Sequence, residues 1–177
     1  KDEVFLNQAK DLGARLFKSF DNPSGIPYGR VNLHSGATSN LQWSPSRAIL
    51  AEFTTLQIEF RTLSRWAGIE DYKTKSEEIY RKLHAMNPGK GLYPIYVQNK
   101  GHASFSGSKV SFGAMGDSFY EYMLKVWIQG GKLEQEFRDM YDESIQVMFE
   151  ELLHLSEPSE LVFIADRENG MIDKKQD

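Results

Sequence analysis

"ILAEFTTLQIEFRTLSRWAGIEDY", residues 49–72 of a 177-residue chain, is the stretch whose reading decides the fold. Ile49, Phe53, Leu56, Phe60 and Leu63 fall four, three, four and three apart, the spacing that lines one face of an α-helix. "AGIEDY" interrupts the pattern, and Tyr72, Ile79, Tyr80, Leu83 and Met86 resume it. The spacing therefore predicts a helix from about Ile49, a short turn, and a second helix folded back on the first. "NPGKG" at 87–91 ends it.

The same unit recurs downstream. From Asp117 a helix runs through Phe119, Met123, Leu124 and Trp127 to Gly130–Gly131. Its partner spans about Leu133 to Leu155, with Phe137, Met140, Tyr141, Ile145, Met148, Phe149 and Leu152 on one side. Between the pairs, "LYPIYVQNKGHASFSGSKVSFG" (92–113) alternates weakly around Asn99–Gly101 and reads as a hairpin, and "LVFIAD" (161–166) as a short strand. Upstream, Val4, Phe5, Leu12, Leu16, Phe17 and Phe20 form a helical stripe that stops at "DNPSG". Residues 21–47 then lack helical period, and a loop of that length is usually functional or disordered. Antiparallel helix pairs with short turns at one end and long loops at the other build α-solenoids or closed helical toroids. The expected class is mainly α. In such an arrangement the starts of the leading helices gather on one rim, where Glu52 and Asp117 both sit.

Composition bounds what such a chain can do. Forty per cent hydrophobic and 12% aromatic residues suit a folded domain with a sizeable core. The net charge of −4, with both signs interspersed, offers no basic face to nucleic acid. No run approaches the ~18 apolar residues of a membrane span, and no signal-peptide core lies near the start. Zero cysteines exclude disulfides and thiolate metal sites within these residues. The only Asn-x-Ser/Thr candidate, "NPS", is spoiled by Pro23.

The candidate chemistry gathers at helix starts. Asp117, between Gly116 and Ser118, can cap its helix, which is worth roughly 0.5–2 kcal/mol. Its glycine-rich approach and aromatic flanks equally suit a carboxylate facing a sugar. Glu52 is either a helix-start acid or part of a pocket; Glu59 lies seven residues on, amid apolar neighbours, and acids there need partners. Glu121, one turn after Asp117, reads as a surface acid. "GIPYGRVNL" (25–33) is either a loop plugging the core or a wall of a binding cleft. His34, His84, His102 and His154 have no zinc-ligand spacing, "GKG" at 89–91 lacks the rest of a P-loop, and Trp43, Trp66 and Trp127 suit core or cleft wall.

"GIPYGRVNL", "ILAEFTTLQIEFRTLSRWAGIEDY" and "SFGAMGDSFYEYMLKVWIQGG" (111–131), followed by "LLHLSEPSELVFIAD" (152–166), resemble in this order the central portion of class I α-1,2-mannosidases, glycoside hydrolase family 47. The resemblance runs from about Leu6 to Asp166. It implies an (αα)7 barrel with long rim loops and a short β-hairpin. It also implies removal of terminal α-1,2-linked mannose from N-linked oligomannose with inversion, and a Ca2+ ion at the barrel floor. By the same resemblance Asp117 matches the catalytic aspartate and Glu52 an acid of the sugar site. Met115 matches a substrate-binding position that is arginine in the selective endoplasmic-reticulum type and usually leucine in the broader Golgi type.

On this resemblance residues 1–177 form the central fragment of one catalytic domain truncated at both ends. The general acid would lie upstream, and the base glutamate and the calcium-binding threonine downstream. The isolated fragment is then expected to be inactive and calcium-free. The parent protein is expected in the endoplasmic reticulum or Golgi lumen, with a membrane anchor outside these residues, and without nucleic-acid partners. The alternatives are a mannose-binding quality-control protein of the same fold and a helical scaffold without a sugar site.

Overall fold

The computed structural model describes residues 2–87 and 90–173; Pro88 and Gly89 of the "NPGKG" stop lie outside the described residues. Helix α1 (Glu3–Leu16) is capped by the Asp2 side chain, which accepts the Val4 N–H, and a 3₁₀ turn (Phe17–Phe20) extends it. Two helix pairs follow: α3 (Gln57–Ala67) with α4 (Glu70–Met86), and α5 (Asp117–Gln129) with α6 (Gln135–Glu151). Gly68 ends α3 at φ 72°, the left-handed conformation that glycine adopts without a Cβ penalty, and its N–H returns to the Ser64 carbonyl. The chain is mainly helical with small sheets, as the periodicity predicts.

The aromatic residues at helical spacing form one core. Tyr80 stacks on Phe119 at 5.6 Å, Phe137 meets Tyr80 edge-on at 5.8 Å, and Tyr93 meets Phe119 edge-on at 4.9 Å. Because Tyr80, Phe119 and Phe137 come from α4, α5 and α6, these contacts join the two pairs. A polar tie reinforces the junction. Arg61 of α3, almost buried, donates to the Val126 carbonyl of α5 and pairs with Glu77 of α4 at 3.2 Å and with Glu134, before α6, at 2.5 Å.

Two expectations need correction, and a third holds with a qualification. The helix predicted to run from Ile49 to Leu63 is two helices, α2 (Leu50–Phe53) and α3. The hydroxyls of Thr54 and Thr55 bond back to the Leu50 and Ala51 carbonyls, while Tyr80 donates its hydroxyl to Thr54 O and the Gln57 side chain accepts the Leu56 N–H. Side chains thus satisfy the backbone where the helix opens, an outcome apolar spacing does not register. The stripe from Val4 to Phe20 is helical as expected; Phe20 is buried and Phe17 packs on the core, Gly13 packs against Leu63, and Val4, Phe5, Leu12 and Leu16 are exposed. The last α-helix stops at Glu151, because Leu153–Leu155 forms strand β6 against β7 (Val162–Ile164), and Phe149 is exposed.

The stretch before α2 is ordered by short strands. β1 (Arg30–Val31) and β2 (Thr38–Ser39) make a small antiparallel hairpin. β3 (Arg47–Ile49) joins β4 (Tyr96–Gln98) and β5 (Ser104–Phe105), with Ala48 opposite Val97 and Ile49 opposite Tyr96. The predicted hairpin within 92–113 is present and gains β3 as a third strand.

Candidate active site

β3 runs directly into α2, so the sheet aims the start of that helix. Leu50 donates its N–H to the Ile95 carbonyl and Ala51 to the Met115 carbonyl, both at 2.9 Å. The second bond decides the geometry. It holds Glu52, one residue beyond Ala51, and Asp117, two residues beyond Met115, on the same rim. Met115 sits at φ 73°, an uncommon conformation for a side chain with a Cβ. Gly116 follows in a position where a β-carbon would overlap the Ser111 carbonyl.

Asp117 is the first residue of α5, and Gly116 occupies the cap position. Its Oδ1 accepts the Ser118 N–H at 2.7 Å, and the side chain is exposed. The carboxylate is stabilised by the positive end of α5 and retains lone pairs for a ligand or a water. Glu52 is exposed as a whole residue, yet its Oε2 would lie 3.1 Å from a β-carbon placed on Gly29 of the "GIPYGRVNL" loop. Burial at the carboxyl end raises its pKa above the ordinary glutamate value.

Glu59 accepts the Tyr122 hydroxyl at 3.3 Å, and Glu121 pairs with Lys125 one turn on, a surface acid as expected. Two residues join the rim without a sequence signal. The Arg47 guanidinium lies 4.4 Å from the Tyr96 ring centroid, and the Tyr96 hydroxyl contacts Met115 Sδ at 3.4 Å. Arg47 and Tyr96 meet only through the β3–β4 register.

The "GIPYGRVNL" loop does both things its sequence allows. Ile26 is fully buried in the core, while Tyr28, Arg30, Val31 and Asn32 line a cleft of about 750 Å³. Trp127 packs on the core, whereas Trp43 and Trp66 are exposed. Calcium takes six to eight oxygen ligands. Among the described residues no group of three or more carboxylate or imidazole side chains could hold a metal, so Glu52 and Asp117 do not by themselves make a calcium site.

The whole chain, residues 1–177, matches the family model Glycosyl hydrolase family 47. The chain belongs to this family. Within it, the chain is 41% identical over 177 residues to a mannosyl-oligosaccharide 1,2-alpha-mannosidase, MNS1, of Arabidopsis thaliana, covering 98% of this chain and 31% of that protein. It is 37% identical to the endoplasmic reticulum mannosyl-oligosaccharide 1,2-alpha-mannosidase of Mus musculus, covering 99% of this chain and 27% of that one. This family 47 chain thus spans less than a third of the length of these curated relatives. The solved alpha-1,2-mannosidase from Trichoderma reesei superposes with a TM-score of 0.80 at 23% identity, over 95% of this chain and 35% of that chain, a likeness of fold.

Proposed function

We propose that these residues are the central portion of a single catalytic domain, an (αα)7 barrel, that hydrolyses terminal α-1,2-linked mannose from N-linked oligomannose with inversion. The observation that carries the reading is the Ala51–Met115 bond, which sets Asp117 and Glu52 on one rim of a family 47 chain whose relatives bear that activity in their names. Inversion needs one carboxyl to protonate the leaving oxygen and another to activate a water, roughly 6.5–9.5 Å apart. In this reading Asp117 is the catalytic carboxylate of this segment, its free lone pairs directed at a sugar hydroxyl or the water. Glu52 holds the terminal mannose through its hydroxyls. Met115, apolar where a selective enzyme would carry a cation, leaves room for trimming of more than one mannose.

Calcium dependence would belong to the complete domain, with ligands from outside the described residues. The relatives' names support a place in the secretory pathway, with the endoplasmic reticulum or Golgi lumen and a membrane anchor as the finer proposal. The 177 residues alone are expected to be inactive, since the rim they supply holds only part of an acid–base set.

The test is Asp117→Asn in the full-length protein, assayed on an oligomannose glycan. The rate is expected to fall by about 10²–10⁴, with stability changed by less than about 1 kcal/mol. A folded variant with normal turnover would make Asp117 a helix-start acid and remove the proposal.

A further inference from the structure

We propose that a hollow where the end of α3 meets the end of α5 is an oxyanion site that takes the phosphate group of a ligand. The site is separate from the carboxylates at the helix starts and does not depend on the glycosidase reading. Arg61, Thr62, Arg65 and Trp66 of α3, Lys73 of α4 and Gln129 of α5 line it, around a volume of about 230 Å³. Asp117 opens α5 and Gln129 closes it, so about 18 Å of helix lies between the hollow and Asp117.

The walls are held from behind. The Arg61 side chain, 8% exposed, donates to the Val126 carbonyl and pairs with Glu77 and Glu134. Gln129 Nε2 donates to the Ile58 carbonyl and to the Thr62 hydroxyl, both at 3.0 Å, and that hydroxyl itself donates to the Ile58 carbonyl. The donors of the neutral wall residues are thus spent within the wall. What remains is cationic. The side chains of exposed Arg65 and half-buried Lys73 make neither a hydrogen bond nor an ion pair among the described residues.

The charge count has the same sign. Three cations line the hollow and no carboxylate does; set against Glu77 and Glu134 behind Arg61, they leave one positive charge, in a chain whose net charge is −4. Hydrogen bonds from cationic donors to an oxyanion are roughly twice as strong as neutral ones, and the guanidinium fork matches phosphate geometry. The oxygens of a phosphate point in several directions, so one group can meet Arg65 from α3 and Lys73 from α4 at once. A carboxylate, with two oxygens in one plane, fits that pair less well. Trp66 on the wall is 46% exposed, and Ile128 beside Gln129 is 52% exposed. The phosphate can therefore come from solution or from a lipid headgroup over which these apolar side chains lie.

The test compares the full-length protein with its Arg65→Gln/Lys73→Gln variant. One probe is inorganic phosphate, read by titration calorimetry. The other is phosphatidylcholine vesicles with and without phosphatidic acid, read by co-sedimentation. At least one probe is expected to bind, and the variant to bind it about tenfold more weakly. Phosphate binding alone marks a soluble ligand, whereas preference for the phosphatidic acid vesicles marks a headgroup. Binding of neither probe, or equal binding by the variant, would overturn the site. Should the double variant fail to fold, Arg65→Gln alone, at an exposed position, takes its place. Its affinity is expected to fall about threefold, and an unchanged affinity would overturn the site in the same way.

Discussion

The Glu52 carboxylate and the Gly29 backbone approach so closely that a β-carbon on Gly29 would lie 3.1 Å from Oε2. Gly29 has no left-handed backbone to protect, so its glycine serves this approach. Gly29→Ala is expected to leave stability within about 1 kcal/mol of the unsubstituted protein while displacing the Glu52 carboxyl. Sugar affinity should fall several-fold with little change in the melting temperature; equal affinity would show that the carboxyl position is not critical.

The raised pKa of Glu52 makes a signed prediction. Its carboxyl end is partly buried, so the folded protein holds the proton more tightly than the unfolded chain. Such a group favours folding most below the ordinary glutamate range, and its contribution is lost as pH rises through the folded value. Stability curves of the protein and its Glu52→Gln variant should therefore diverge over that window, with Gln gaining on Glu toward neutral pH. Curves that stay parallel from pH 4 to 7, on the scale set by ~4.3 for free glutamate, would contradict the burial.

Gly116 carries a different constraint. Any β-carbon there overlaps the Ser111 carbonyl, and a backbone oxygen cannot rotate away as a side chain can. Gly116→Ala should cost about 1–3 kcal/mol by denaturant unfolding, and should lower activity by shifting Met115 and Asp117. A variant as stable as the parent would mean that the loop relaxes freely.

The Arg61–Glu77–Glu134 cluster ties the two helix pairs. Glu77 and Arg61 are each almost buried, and Arg61 reaches three elements. Removing one partner of such a pair strands the other, so Glu77→Ala should destabilise by about 3–5 kcal/mol. Replacing exposed Glu136, which pairs with Arg81 at 2.6 Å, should cost no more than about 1 kcal/mol. Chemical denaturation of both variants distinguishes the cases, and equal effects would refute the ranking.

The helix pairs were legible because apolar side chains three and four apart must share a buried face, and Phe60, Tyr80, Phe119 and Phe137 are all in the core. The same rule misled at Thr54, where hydroxyl-to-carbonyl bonds open the helix, and at α1 it gave the helix while part of the stripe is exposed. Periodicity records which residues could share a face and not what covers it.

By itself the sequence determined the helix pairs, the turn between each pair, and the placing of Glu52 and Asp117 at helix starts, since all of these follow from local spacing. Only the tertiary structure decided that the starts of α2 and α5 lie side by side, that Arg47 lies over Tyr96, and that Asn40 meets Asn99. Those meetings depend on backbone bonds such as Ala51 to Met115, which nearly every residue type can make and which therefore leave no trace in residue identity.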